Sequence, residues 1–468
     1  MLFLASVWGL SVAHAVDVDS SEALRAAIEG AAAGDEIVVL PGRYGFTSKV
    51  SASANGTAAE PIVVRASVPG QVVIEMDTVE GFYVTGTHWR FEDLWIDGIC
   101  AEDSTCEHAF HVVGQADGLQ IRNTVMSNFN AQIKSNGNGT DFPDDVWVEG
   151  CELYNDAPRQ TSNPVTPIDV VGGSGWVVRG NFIHDFAKAQ GNQISYAAFL
   201  KGNGRDGRFE HNLVVCEDLH TGHVRLGLSF GGGGSAPDSI CENQDCSVEH
   251  TGGTMVNNII AHCPQDVGIY LNASADTELL HNTVHNTLGV DVRFDVSEAW
   301  VDGNVVSGWI RTRDGGVLNE GVNLTDYEGF SSTYADPDNL DFTVVDGTDV
   351  VDAGSPDVAV DFCWNARDGI ADLGATELGQ ACDTQVTHLE PTGGTGSTGT
   401  GTGSGTGTGS TPGTGTPGTG GPDTAGDGTP ETPEVLGGCG CSQASDSLAG
   451  LSAGWWALLL IAWRRNQA

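Results

Sequence analysis

Lys201 closes an apolar run, AAFLKG (residues 197–202), in a chain with 20 Lys and Arg against 62 Asp and Glu. Related segments recur as TPIDVV (166–171), VGIYLN (267–272), GVDVRF (289–294) and GWIRTR (308–313). HVRLGLSF (223–230) belongs to the same series in a less regular register. Side chains alternate between the faces of a strand. With Leu200, Leu271 and Val292 turned inward, Lys201, Asn272 and Arg293 point outward. Arg311 or Arg313 extends the column, and Arg225 lies near it. Bases gathered on one face of an acidic protein make a local cationic stripe able to hold a polyanionic chain. The plain alternative is that their stems cover apolar neighbours while their heads pair with acids such as Asp169 or Asp291.

A lysine on a rigid sheet beside other cations also suits general-base chemistry, because desolvation and nearby positive charge lower its pKa. Polyuronate β-elimination needs such a base to take the proton next to a uronate carboxylate, itself neutralised by Arg or Ca²⁺. Lys201 and Arg225 are therefore the candidate catalytic residues. Asp169, His223, Asn272, Arg293 and Arg311 are the candidate substrate contacts, and His220 and His223 are further acids or bases. Ca²⁺ is the one cofactor this chemistry admits, and no metal ligands are assigned. Glycoside hydrolysis needs two carboxylates roughly 5–10 Å apart, and Asp169 and Asp291 are separated by too many repeats for that.

These segments need a scaffold, and internal repetition supplies it. Seven stretches share an alternating apolar pair followed by an Asn slot: Asn123, Cys151 (standing in that slot), Asn181, Asn212, Asn258, Asn282 and Asn304. HWRFEDLWIDG near Leu94 is an earlier, degenerate copy. The slots are 28, 30, 31, 46, 24 and 22 residues apart. Period-two alternation at a coil-length spacing predicts short strands stacked as a solenoid rather than a β-sandwich. Asn at each bend can bond the turn backbone and stack on the next Asn. The long 212–258 interval, which contains GGGGSAPDSICENQDC, reads as a loop inserted in one coil.

The opening GDEIVVLPGRYGF, then GTAAEPIVVRASVPGQVVI, and the later DAGSPD…NARDGIADLGATE resemble right-handed parallel β-helix proteins of extracellular bacteria. The resemblance covers roughly residues 18–380 and implies an all-β, single-stranded right-handed parallel β-helix. Within it, ISYAAFLKGNGRDGRFEHNLV…HVRLGL resembles polysaccharide lyase family six, the alginate lyase and chondroitinase B family. That resemblance implies a base at Lys201, an acid at Arg225 and an acidic polysaccharide substrate. The slots in which the family carries calcium-binding carboxylates hold Ile194 and Tyr196 here. A non-catalytic carbohydrate-binding or adhesive protein is the rival reading.

Both ends of the chain read as targeting segments. Residues 1–15 resemble a signal peptide ending in Ala13-His14-Ala15, although no base precedes the apolar run. The helix domain is expected over 16–388, followed by a disordered Thr/Gly/Pro linker over 389–436. The tail, 437–468, holds Cys439, Cys441 and a hydrophobic helix before Arg464-Arg465. It resembles the Cys-containing C-terminal sorting tail of myxobacterial surface proteins, which implies an anchor attached at one of those cysteines. An ordinary membrane tail anchor is the alternative. The expectation is a secreted, surface-anchored monomer that meets polysaccharide and membrane; a net charge of −42 argues against nucleic acid. Cys100/Cys106, Cys241/Cys246 and Cys363/Cys382 lie in polar sequence that suits local disulfides, while Cys151, Cys216 and Cys263 occupy buried repeat positions.

Overall fold

The computed structural model describes residues 15–355, 358–367, 369–380 and 382. The N-terminal apolar run, the Thr/Gly-rich linker and the tail with Cys439 and Cys441 lie outside the described residues. Three long sheets, of 12, 10 and 10 strands, run the length of the domain. Sheet A begins at Ala15–Val18, sheet B at Gly42–Phe46 and sheet C at Val50–Ala52. From Glu36–Val39 onward, successive strands fall on A, B and C in turn, and each pairs in parallel with its counterpart one coil away. Short alternating strands separated by bends produce this because their apolar residues can be buried only by stacking coils. Phe91, Ile121, Val148 and Val178 form one such buried file in sheet A. This is a parallel β-helix.

The first coil is closed by the helix Ser21–Glu29, which buries Leu24 and Ile28 and is capped by Ser20. At the other end, the segment after residue 324 folds back along sheet B. Phe330, Tyr334, Phe342 and Leu373 pack there on Phe182, Leu213 and Val305. Arg367, from the closing sequence pattern, is buried and donates to Glu377 Oε2 at 2.8 Å and Asn257 Oδ1 at 3.0 Å. Among the described residues no helix is long and apolar enough to cross a membrane.

The bends between sheets A and B carry the asparagine ladder. Asn212 Oδ1 accepts both the backbone N–H (3.1 Å) and the side-chain Nδ2 (2.9 Å) of Asn181. Asn258 Oδ1 accepts in the same way from Asn212, Asn282 Oδ1 from Asn258, and Asn304 Oδ1 from Asn282. The ladder continues one coil further than the sequence repeat, to Asn323. One expected rung is displaced. The register Arg122–Glu149–Arg179 places Thr124, not Asn123, level with Cys151 and Asn181. Asn123 instead takes the left-handed turn position, φ 47°, which Gly150 and Gly180 fill in the next coils.

Disulfides join Cys100–Cys106, Cys241–Cys246 and Cys363–Cys382, all in loops as expected. A fourth, Cys216–Cys263, corrects the reading of those two as plain core residues. Cys216 directly follows the sheet B strand Leu213–Val215 and Cys263 ends the paired strand Ile259–Cys263 of the next coil, which leaves their Cα atoms 5.0 Å apart. Cys151 is a free, buried thiol whose pKa burial pushes up to about 12.

Candidate functional site on sheet C

The outer face of sheet C carries two parallel files of side chains. One runs Tyr83, His111, Lys134, Asp169, and ends at Asp291 and Arg311. The other includes Lys201, level with Val171, and Asn272, Arg293 and Arg313. The expected inward residues Leu200, Leu271 and Val292 are buried. The loop after Phe230 lies across the middle of this face. Lys201 Nζ donates to Gly234 O at 3.0 Å and sits 4.7 Å from the Phe199 ring centroid. Asn272 Nδ2 donates to Gly232 O at 2.7 Å. Glu249 pins the loop by accepting from the Gly202 N–H and the Ser235 hydroxyl, and Glu242 accepts from the Gly173 N–H.

Arg225 is not on this face. Its side chain is 1% exposed and turned into the protein. There it donates to Cys216 O, meets His220 Nδ1 at 2.9 Å and lies 3.7 Å from Asp185 Oδ1. The alternation resets at Gly227, where a Cβ would come within 2.8 Å of the buried Ile260 side chain. Residues before it consequently exchange faces, so Leu226 joins Tyr196 and Tyr270 in a small separate apolar cluster while Arg225 goes inside. His223 lies at the start of that strand, away from Lys201, and burial holds the His220 pKa down. Lys201 and Arg225 therefore do not share a groove.

The calcium slots do not fit a cation. Ile194 and Tyr196 pack in the same apolar cluster. Among the described residues, one group of potential ligand atoms occurs elsewhere, at His184, Asp185 and Asp218. Asp185 is already committed there, accepting from the N–H groups of Asp218, Leu219 and His220, with Arg225 beside it. That arrangement fixes a loop.

Instead, sheet C brings together residues from the coils before Lys201. Lys134 Nζ lies 2.7 Å from Asp169 Oδ1, both largely buried. His111 Nδ1 is 2.7 Å from Glu80 Oε1, and its Nε2 is 2.8 Å from Asn136 Oδ1. The Asn136 amide nitrogen donates to Gly137 O, which leaves its oxygen turned to His111. Lys49 Nζ completes the group, 2.9 Å from Glu80 and 4.0 Å from the Tyr83 ring centroid. The hydrogen bond from His111, aided by Lys49, lowers the Glu80 pKa from 4.5 to about 2. A depressed carboxyl pKa adds stability above the unfolded value, and that stability is lost as pH falls through the folded value. Acid titration of the wild type should thus show a loss of stability between pH 4.5 and about 2 that Glu80→Gln lacks. Identical acid profiles would remove Glu80 from this role.

Lys49 and Lys134 here meet two carboxylates (Glu80, Asp169), and His111 is hydrogen-bonded between Glu80 and Asn136. The far end carries a second network of paired charges. Asp291 accepts from Arg311 Nε (2.6 Å), Arg313 Nη1 (2.9 Å) and Trp309 Nε1 (3.0 Å), while Arg293 pairs with Asp314 and donates to Tyr270 Oη. At both ends the bases of the expected cationic stripe are paired with acids, while Lys201 in the middle donates to a backbone carbonyl. Continuing the strand series back to AQIKSN (131–136) and HAFHVV (108–113) would have revealed the missed residues in the sequence.

Against known proteins, the chain's residues 18–150 match the family Chondroitinase B. No curated protein matches the chain. Among solved structures it resembles the pectate lyase Pel9A, at 14% identity and TM-score 0.51, covering 79% of this chain and 98% of that one. A rhamnogalacturonan lyase matches at 14% identity and TM-score 0.44, over 75% and 89% of the two chains. An alginate lyase from Paenibacillus sp. str. FPU-7 matches at 14% and 0.32, over 66% and 99%. In fold, the chain is a polysaccharide-lyase-like parallel β-helix. The family match spans the sheet C strands that carry Glu80, His111 and Lys134 and stops before Lys201.

Proposed function

We propose that this protein is secreted, held at the cell surface by its C-terminal tail, and binds an acidic polysaccharide along the outer face of sheet C. The observation that carries this reading is that Lys49 and Lys134, two of the 20 bases in a chain of net charge −42, stand with Glu80, His111 and Asp169 on the outer face of one rigid sheet. Paired side chains held on a rigid sheet lose little freedom on binding, so they suit recognition of a regular polymer. The test is affinity electrophoresis on alginate, pectate and chondroitin sulfate. Wild type should be retarded by at least one of them, less so at high salt. No retardation on any would overturn the reading.

β-Elimination is the second reading, favoured by the Chondroitinase B match. Its expected pair is the obstacle, since Gly234 caps Lys201 and Arg225 is internal. Incubation with the same polymers should give no unsaturated uronate absorbance. Absorbance that disappears in Lys201→Ala would reinstate the lyase.

A further inference from the structure

We propose a second carbohydrate-contact site, built around Trp364 at the bend between sheets A and B and independent of sheet C. Trp364 is 51% exposed although it is a large aromatic. Its indole lies flat on the His211 imidazole, with ring centroids 3.6 Å apart and planes 14° apart. His211 is fixed beneath it at a sheet A–B bend, its Nδ1 3.0 Å from Phe362 O, and burial keeps that ring below its ordinary pKa. The indole therefore rests on a neutral ring, and half of its surface remains in water.

The segment that presents Trp364 is firmly held. Asp361 Oδ1 accepts from the N–H groups of Cys363 (3.0 Å) and Asn365 (2.8 Å), and Asp361 O accepts from the Trp364 N–H. Cys363 is tied to Cys382. Trp364 itself has φ 64°, a backbone region that a bulky residue seldom adopts. Exposed, strained and rigid together, the residue is presented rather than merely left over.

What it can receive follows from its neighbours. The Arg179 guanidinium lies 5.4 Å from the Trp364 ring centroid and 4.8 Å from that of Trp147. Arg179 belongs to a cross-coil file on sheet A that alternates in sign: Arg65, Glu92, Arg122, Glu149, Arg179, Glu210. Its charge is met by Glu149, so the patch offers hydrogen-bond donors and acceptors without a net field. A flat apolar indole bordered by paired polar groups fits an uncharged pyranose ring, whose C–H face stacks on the aromatic while its hydroxyls reach the rim. The all-equatorial ring of a β-linked glucan presents the flattest such face. The ligand class is thus a neutral β-linked glycan, in contrast to the polyanion assigned to sheet C.

Isothermal titration of the full chain with cellohexaose tests this. Wild type should show a saturable binding heat that Trp364→Ala loses and Trp364→Phe retains with affinity weakened up to tenfold. Trp300→Ala, at another exposed indole, should leave the titration unchanged, and because no residue of sheet C is altered a failed sheet C assignment does not affect the outcome. Thermal melting of each variant confirms folding, and if the alanine variant does not fold, the wild-type and phenylalanine titrations decide. Absence of saturable binding in wild type, or equal binding in Trp364→Ala, would overturn the proposal.

Discussion

Asn258→Ala is expected to destabilise the protein by about 3–5 kcal/mol, close to the upper end of single-residue effects. Asn258 Oδ1 accepts from the Asn212 backbone N–H and Nδ2, and its own Nδ2 donates to Phe209 O and Asn282 Oδ1. All of these groups are buried, so alanine leaves the Asn212 N–H without a partner and without water, and takes one bond each from the Asn212 side-chain amide and the Phe209 carbonyl. The same change at Asn323, the partly buried last rung, removes fewer such bonds and should cost about half as much. Urea melts of the two variants measure the difference. Equal shifts would show that the ladder's energy does not depend on burial.

Lys134→Ala is the second large effect. Its partner Asp169 would remain as a largely buried carboxylate with no cation, a situation that costs about 3–5 kcal/mol. The paired substitution Lys134→Met with Asp169→Leu removes both charges and should return most of that stability, because it leaves no buried ion unpaired. Polysaccharide binding separates the two roles of the pair. It should fall at least tenfold in both variants, the well-folded one included. Retention on the polymer gel by the paired variant would show that Lys134 and Asp169 only support the sheet.

The coils were legible because their determinants are local: period-two alternation, an Asn at the bend and a spacing near 30 residues. Even so, Asn123 shows the limit of that signal. Two adjacent bend positions accept Asn, and only the register across coils shows that Thr124 fills the ladder slot. Arg225 escaped sequence reasoning for a related cause. Simple alternation puts it outward, but Gly227 faces the core and resets the pattern. The pairs Lys134–Asp169 and His111–Glu80 link residues 35 and 31 positions apart, so neither partner marks the other in the sequence. The Cys216–Cys263 bond was hidden in the same way, since its two halves look like ordinary core positions until the coils are stacked.

The loop pinned over Lys201 makes sheet C a ruler. Between the strands of Ser51 and Asp169 there are four inter-strand steps, roughly 19 Å at ~4.8 Å each. A polymer laid along the sheet from its first coil meets Gly232 and Gly234 directly after that interval. On the proposed binding mode, only a few consecutive sugar rings would be counted at once, however long the polysaccharide is. Affinity should climb with oligomer length and then level off, and the protein would grip a long polymer in short bites, free to step from one stretch to the next.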